Sequence, residues 1–356
     1  MPVDLAALQS YLRRQFGAPL RVLAATPLGD DGGAKEFGYG APILVKLADA
    51  SVREVVVHLA KGAGFGHDTI ADRGAMALLS FHTFNELPRH VRALDVGSID
   101  EHGAMTSLAG ARDFFVVTEY GEGEPYFKDL DALAAGRDLP QRDLRRVDRL
   151  AIYLATIHGH KKDDREAYVR RTRDLVGGHE CIAGVLDGYD ACSVEGIDDA
   201  RLQSIERRCV AFRHRLKGRP ERLCYVHGDF HPWNILFGED DQLVLLDRSR
   251  GAYGEAADDV AALAINYLFY ALRTRGRLEG AFATLWERFF EGYLSASHDQ
   301  GLLEALPPYL AWRALVVASP LWYPHIDDGV RLALFGFIDR VLDRERFDPS
   351  LEAVTR

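Results

Sequence analysis

The chain has 356 residues, 47% of them hydrophobic, and a formal net charge of −10 at pH 7. This length exceeds the usual size of one hydrophobic core, so we expect two lobes or domains. The acidic balance argues against a nucleic-acid partner, because nucleic-acid-binding proteins usually carry a basic surface stripe.

Three simple sequence signals narrow the class of protein further. The N-terminus has no basic start followed by an apolar stretch, so no signal peptide is expected and a cytoplasmic location is predicted. The longest apolar run, residues 260–272, is shorter than the roughly 20 residues that span a bilayer, so no membrane partner is expected. The four cysteines match neither a disulfide scaffold nor C-x-x-C metal spacing. The oligomeric state stays open.

The first 120 residues contain most of the strand-like segments. These segments are short, rich in Val, Ile or Phe, and bounded by Gly, Asp or Pro, which is typical of strands. They are residues 20–28, 41–48, 53–60 and 113–120. Residues 68–84 have the apolar spacing of one helix. We therefore predict an N-terminal lobe, residues 1–120, with a small, mainly antiparallel sheet.

From residue 121 onward the pattern changes to helices. Several segments repeat apolar residues at the helical period, which predicts amphipathic helices that bury one face. They are residues 142–160, 258–273, 278–295 and 329–343. The predicted fold class is therefore α+β, with a β-rich N-terminal lobe and a larger helical C-terminal lobe, residues 121–356.

One stretch in the helical half predicts a β-hairpin. "NILF" and "QLVLLD" are strand-like runs separated by the turn signal "GEDD". Asp229 and Asn234 lie on the loop that enters this hairpin, residues 227–234, which we call the HGD loop. Asp247 ends the second strand. A hairpin returns its ends to the same place, so the three side chains are expected to converge.

Converging carboxylate and amide oxygens suit Mg²⁺, which takes few protein ligands and leaves other positions to water and phosphate oxygens. Asp229, five residues before Asn234, is a carboxylate that can accept the proton of an attacking hydroxyl. An oriented nucleophile and a metal that neutralises phosphate charge are what phosphoryl transfer requires. The stretch therefore predicts phosphoryl transfer.

"HGDFHPWN" followed by "LLD" resembles the motifs of the aminoglycoside phosphotransferase and choline kinase families, which vary the H-R-D-x-x-x-x-N and D-F-G elements of protein kinases. The resemblance implies a two-lobed, protein-kinase-like fold and ATP as co-substrate. It assigns the catalytic base to Asp229 and the Mg²⁺ ligands to Asn234 and Asp247. It also implies that His227 and Asp259 support the HGD loop.

The segment "FFVVTEYGEGE" resembles the inter-lobe hinge of these families. The resemblance implies that the backbone near Glu119, Tyr120 and Gly121 binds adenine. Residues 150–158 are similar to the helix that precedes the catalytic loop.

The pattern departs from these families at the phosphate-binding lysine. Where a strand Lys or Arg is expected, the chain has His58, with Lys61 three residues later. The partner Glu on the next helix falls on Gly74, with Asp72 nearby. Lys61 with Asp72, or Lys46 on the preceding strand, are possible substitutes. His58 is also compatible with an ordinary half-buried strand position, and Lys61 with a solvated strand end.

The loop between the first two strands is glycine-rich and offers Gly32 and Gly33 as contacts to nucleotide phosphates. Its acidic neighbours Asp30 and Asp31 would repel phosphate unless they turn away. An ordinary hairpin loop explains the same glycines.

Two segments suggest the acceptor side of the reaction. Residues 180–199 contain six acids and no Lys or Arg, so Glu180 and Asp190 are candidates for an acidic rim that attracts an amine-bearing acceptor. A solvated loop explains the same acids. Trp322 and Tyr323 follow a proline and could stack on an acceptor or enclose a cation, whereas Trp312 is expected in the helical core.

The sequence thus predicts an ATP- and Mg²⁺-dependent kinase of a small hydroxylated molecule. One alternative is a pseudokinase that keeps the fold without transferring phosphate. A kinase of protein side chains is the other, although no segment specifies a peptide-binding surface. Resemblance at the level of the fold leaves the acceptor, and the choice of ATP over GTP, undetermined.

Overall fold

The computed structural model describes residues 4–17, 19–28, 40–50, 52–60, 67–189, 194–248 and 250–355. It consists of two compact units, Met1–Thr118 and Glu119–Arg356. The division falls two residues before the expected one at residue 120. The first unit contains an antiparallel sheet and the second is mainly helical, so the predicted α+β, two-lobed fold class is confirmed.

The first unit is built around a three-stranded antiparallel sheet in the order β1-β2-β3. Helix α1 begins after Asp4, whose side chain accepts a hydrogen bond from the Ala6 amide and so caps the helix. The elements of this unit are α1 (Leu5–Phe16), β1 (Arg21–Pro27), β2 (Gly40–Ala48), β3 (Glu54–Ala60), α2 (Ile70–Phe84), β4 (Gly97–Ile99) and β5 (Met105–Ser107).

A small core joins α1 to the sheet. Leu8 and Leu12 lie four residues apart on one face of α1 and are buried together with Leu20, Val45 and Leu47. In the strand β2, Val45 and Leu47 alternate with exposed or half-buried neighbours, as expected for a sheet with one covered face. The spacing of apolar residues therefore sets which face of each element is buried.

The prediction of a fourth strand at residues 113–120 is wrong. These residues form no strand, and no strand of the described chain pairs with them. Phe115 and Val117 are 87% and 84% exposed. Aromatic and β-branched residues favour an extended backbone, but a strand also needs a neighbour to complete its hydrogen bonds, and this segment has none among the described strands.

The second unit carries the predicted helices and the predicted hairpin. Its helices are α3 (Phe127–Ala134), α4 (Gln141–His158), α5 (Arg165–Gly177), α6 (Ile182–Asp187), α7 (Asp199–Leu216), α8 (Ala256–Arg275), α9 (Gly280–Ser297), α10 (Leu302–Ala318), α11 (Asp328–Leu342) and α12 (Leu351–Thr355). Its strands are β6 (Glu124–Pro125), β7 (Cys224–Tyr225), β8 (Ile235–Phe237), β9 (Leu243–Leu245) and β10 (Tyr253–Gly254). Strands β6, β8 and β9 form one sheet, and β7 pairs with β10.

Helix α8 is the centre of this unit. All residues from 256 to 272 are buried, because α8 packs against α9, α10 and α4. A helix that is apolar on every side needs such surroundings to be stable. Among the described residues, no helix combines the length and the apolar character needed to cross a membrane.

Candidate active site

The hairpin brings Asp247 next to the HGD loop. Strands β8 and β9 are antiparallel, with Ile235 opposite Leu245. Beyond this pair, the Leu246 amide donates a hydrogen bond to the Asn234 carbonyl at 2.9 Å. Asp247 follows with a φ of 51°, so the chain leaves the strand direction there, and its side chain is exposed. The predicted chain reversal between residues 235 and 246 is therefore present.

Asn234 is hydrogen-bonded to Asp229, the residue expected to be the catalytic base. Its Nδ2 donates to the Asp229 carbonyl oxygen at 3.1 Å and lies 3.4 Å from Asp229 Oδ2. Because Nδ2 is used in this way, Oδ1 is the end of the amide that remains for a cation. No group of three or more His, Cys, Asp or Glu side chains in the described chain is arranged for a metal. The carboxylate of Asp247 and the amide oxygen of Asn234 nevertheless fit Mg²⁺, which takes few protein ligands and retains water and phosphate ligands.

Asp259 fixes the backbone at the start of the HGD loop. It lies in the first turn of α8, is fully buried, and accepts hydrogen bonds from the backbone amides of His227 and Gly228, both at 2.7 Å. His158 Nε2 lies 3.1 Å from the same carboxylate. Gly228 has a φ of 88°, a conformation that favours glycine. The His227 ring accepts a hydrogen bond from the Asp229 amide at 3.2 Å.

The pKa of Asp259 is set by opposing effects. Burial raises it, but the hydrogen bond and charge of His158 and the His227 amide outweigh burial, so the pKa lies below its ordinary value. The carboxylate is therefore charged at neutral pH. As an acceptor of two backbone N–H groups, it anchors the HGD loop to α8.

Asp229 lies among three basic side chains. Arg313 Nη1 donates to Asp229 Oδ1 at 2.7 Å, Arg250 Nη2 lies 3.8 Å from the same oxygen, and His231 Nε2 lies 3.4 Å from Oδ2. Burial acts to raise the pKa of Asp229, but the hydrogen bond from His231 and the charge of Arg313 hold it well below its usual range. Asp229 is therefore ionised at neutral pH.

Arg313 is a site residue that the sequence interpretation missed. It lies in α10, is 5% exposed, and also donates from Nη2 to Asp258 at 2.6 Å and to the Gly228 carbonyl at 3.2 Å. It thus links α8, α10 and the HGD loop. One sequence feature could have indicated this role: Arg313 is the one charged residue in the apolar run of residues 305–318. A guanidinium that is buried there requires counter-ions.

A cavity of about 510 Å³ in the second unit opens beside Asp229. Arg250 and Arg313 contribute to its charged wall, and Ile265 and Val316 contribute apolar side chains from α8 and α10. The predicted acceptor residues that line it are Glu180, Trp322 and Tyr323. Trp233, His231, Asn266 and Arg250 also line it and were not predicted as acceptor contacts. Trp312 is 1% exposed, as expected for a core residue.

Four predicted residues, Gly32, Gly33, Lys61 and Asp190, lie outside the described residues. The nucleotide contacts expected of them stay predictions. His58 lies exposed on β3 opposite Pro42.

The candidates for a substitute ion pair have other contacts. Lys46 Nζ lies 3.7 Å from Glu54 on the neighbouring strand, and both side chains are exposed. Asp72 accepts a hydrogen bond from the Thr69 amide and so caps α2. Because Lys61 lies outside the described residues, its pair with Asp72 stays a prediction.

The expected hinge begins the second unit. Glu119 and Tyr120 are exposed, whereas Gly121 lies against the hairpin, where a Cβ atom would be 2.9 Å from Leu246 Cδ2. A side chain at residue 121 would therefore displace Leu246, the residue before Asp247.

Comparisons with known proteins agree with these motifs. The model of a family described as "Phosphotransferase enzyme family" (APH) matches residues 70–306, which include the HGD loop, the hairpin and α8. A search of curated proteins found no match.

Solved structures give looser similarities. A choline kinase from Cryptosporidium parvum Iowa II is 11% identical, with 96% of each chain covered and a TM-score of 0.39. A glucosamine kinase is 18% identical, with 94% of this chain and 96% of that chain covered and a TM-score of 0.43. An amicoumacin kinase, solved with AMP-PNP and Ca²⁺, is 14% identical, with coverages of 91% and 90% and a TM-score of 0.42. TM-scores this low do not bear on function.

Proposed function

Because the chain belongs to the phosphotransferase enzyme family, we propose that it transfers the γ-phosphate of ATP to an alcohol group of a small molecule, with Mg²⁺ as its metal. The observation that carries this proposal is the ionised Asp229 in the wall of a cavity of about 510 Å³, hydrogen-bonded to Asn234 on a loop that Asp259 anchors. A small acceptor fits a cavity of this size better than a peptide does.

Asp229 is the proposed catalytic base. Its oxygen atoms accept the hydrogen bond of the acceptor hydroxyl and so orient the attacking oxygen. Because the pKa of Asp229 is low, its main contribution is orientation, and it takes the proton late, when bond formation to phosphorus has made the hydroxyl more acidic. Arg313 keeps the carboxylate in place and charged.

Asn234 and Asp247 are the proposed Mg²⁺ ligands. Bound Mg²⁺ would neutralise charge on the phosphates of ATP and align them. The proposed contacts to the nucleotide are made by His58, Lys61, Gly32, Gly33 and the backbone of residues 119–121. The HGD loop is supported by His227 and Asp259.

The proposed acceptor contacts are Glu180, Trp322 and Tyr323 in the cavity wall, together with Asp190. The acids of residues 180–199 were the reason to expect an amine-bearing acceptor. The pseudokinase alternative has no support from the family match, and the presence of Asp229, Asn234 and Asp247 opposes it.

We expect ATP to stabilise the protein, and Mg²⁺ to increase the effect. A ligand that binds only the folded state at about 100 times its Kd raises the free energy of unfolding by about 2.7 kcal/mol. Thermal-shift titration with ATP, with and without Mg²⁺, measures this. ADP release from Mg·ATP is then followed across a library of small hydroxylated molecules.

Stabilisation together with acceptor-dependent ADP release supports the kinase. Stabilisation without ADP release from any acceptor favours the pseudokinase. No stabilisation at millimolar Mg·ATP contradicts both.

Arg313 gives a prediction about pH. Activity requires ionised Asp229 and therefore falls as pH drops through its pKa, which the hydrogen bond from His231 and the charge of Arg313 hold low. Removing an adjacent cation raises a carboxyl pKa by about 1 to 3 units, so we expect Arg313→Met to move the acidic limb of kcat/KM to higher pH. The pH profiles of both proteins measure the shift.

The matched control is Arg288→Met, which removes an exposed arginine paired with Asp148 on α4. Its acidic limb should coincide with that of the wild type. An Arg313→Met enzyme with lower activity but an unmoved acidic limb would contradict the electrostatic role of Arg313.

A further inference from the structure

Arg250 presents unused hydrogen-bond donors beside Asp229. A guanidinium has five N–H donors. Among the described residues, the one hydrogen bond of Arg250 is to Cys181 Sγ at 3.5 Å, and thiol sulfur is a weak acceptor. Its Nε is buried without a partner. Arg250 lines the cavity, and its side chain is 17% exposed.

The nearby carboxylates do not use these donors. Glu180 Oε2 lies 3.7 Å from Arg250 Nη2, and Asp229 Oδ1 lies 3.8 Å from it, which is beyond hydrogen-bond distance in both cases. Glu180 is 72% exposed, so water screens its charge. Arg313, by contrast, donates to three oxygens at 2.6 to 3.2 Å and has two acidic partners.

The Arg250 guanidinium stacks on the side chain of Trp312, which fixes its position. Its Cζ lies 4.4 Å from the centroid of the Trp312 ring, and Trp312 Nε1 donates to the Glu180 carbonyl at 2.9 Å. Stacking on a buried tryptophan leaves the edge of the guanidinium, where its donors are, for other partners. A preorganised arginine in this state is suited to a planar or multivalent anion.

We propose that Arg250 is a specificity-determining residue that binds an anionic group of the acceptor, a carboxylate or a phosphate. Because Arg250 lies 3.8 Å from the carboxylate of Asp229, that group is a few bonds from the hydroxyl that is phosphorylated. The substrate class is therefore small hydroxy acids or their phosphorylated counterparts. This inference rests on the proposed kinase function and replaces the amine expected from residues 180–199.

The substrate side of the test uses matched acceptors that differ at one terminal carbon. This carbon carries an anionic carboxylate, a neutral hydroxyl or a cationic amine. One series is glycerate, glycerol and 3-amino-1,2-propanediol, and the longer series is gluconate, sorbitol and 1-amino-1-deoxysorbitol. With Mg·ATP fixed, we expect kcat/KM for the carboxylate to exceed that for the amine by about 10-fold or more in at least one series. Glycerol 3-phosphate, with its phosphate group, separates phosphate from carboxylate recognition.

The protein side uses two replacements of the same residue. Arg250→Gln keeps donors but removes the charge, and should lower kcat/KM for the anionic acceptor by about 10- to 100-fold while changing the neutral acceptor by about threefold or less. Arg250→Glu should reverse the preference toward the amine. Arg288→Gln, on the surface of α9, is the control for loss of an arginine.

Two results would overturn the proposal. One is a wild-type enzyme that prefers the amine member of both series. The other is an equal loss of kcat with all acceptors in Arg250→Gln, because that places Arg250 on the transferred phosphoryl group instead.

Binding distinguishes a failure of this inference from a failure of the proposed function. If no acceptor of either series is turned over, thermal-shift titrations with gluconate, glycerate, glycerol 3-phosphate and sorbitol are compared between wild type and Arg250→Gln. An anion-specific shift that Arg250→Gln loses supports the site even without kinase activity. The absence of any such shift at millimolar anion contradicts it.

Discussion

Asp229→Asn is expected to lower kcat by about 10²- to 10⁴-fold, the range that a positioned acid or base contributes. The amide has the same shape but cannot take a proton from the acceptor hydroxyl. Arg313 keeps its second partner, Asp258 at 2.6 Å, so the fold around the site should survive. The affinity for Mg·ATP should change by only a few fold. Steady-state ADP release and thermal-shift titration with Mg·ATP measure the two effects.

Asp148→Asn is the matched control, since it makes the same change at an exposed carboxylate that pairs with Arg288. It should retain the activity of the wild type. Unchanged turnover in purified Asp229→Asn would remove Asp229 from the role of base, and loss of Mg·ATP binding in that variant would assign it to the nucleotide site.

Asp259→Ala has the largest expected effect on stability. It removes a fully buried carboxylate that accepts two backbone N–H groups and pairs with His158. Each buried donor that is left without an acceptor typically costs about 1–3 kcal/mol, and two backbone N–H groups lose theirs here, so we expect a loss of several kcal/mol. Denaturant unfolding of the second unit should show this loss. Activity should fall as well, because the backbone that positions Asp229 is no longer anchored.

Asp259→Asn retains the shape and one acceptor oxygen, so it should lose less stability than Asp259→Ala. Contacts hold the pKa of Asp259 below its ordinary value, so its contribution to stability is present above the unfolded pKa of about 3.9 and is lost as pH falls through the folded pKa. The difference in stability between wild type and Asp259→Asn should therefore narrow below about pH 4. A difference that does not change with pH would mean that the charge of Asp259 contributes nothing.

Local sequence patterns were sufficient for the elements that position the site. The turn signal "GEDD" between two apolar runs predicted the hairpin of β8 and β9, because turn chemistry and side-chain alternation act over a few residues. Helical periodicity likewise predicted α4, α8, α9 and α11. Residues 113–120 show the limit of such patterns: their composition favours a strand, but pairing depends on an edge elsewhere in the chain.

Long-range contacts account for what the sequence did not reveal. Arg313 contacts Asp229 across 84 positions of the chain. Arg250 stacks on Trp312, which lies in α10. The spacing of apolar residues within one segment does not indicate such contacts. The interpretation of the acids in residues 180–199 as a cation-binding rim considered one segment only, and Arg250 lies 3.7 Å from Glu180.

The central position of α8 restricts how the acceptor range of this enzyme can be engineered. The helix carries Asp258 and Asp259 in its first turn and Asn266 in the cavity wall, and it is buried over residues 256–272. Mutagenesis libraries built on α8 would therefore yield mostly misfolded protein. Glu180 and Trp322 line the same cavity and are 72% and 50% exposed, so saturation of these two positions offers the route to altered acceptors that retains soluble expression.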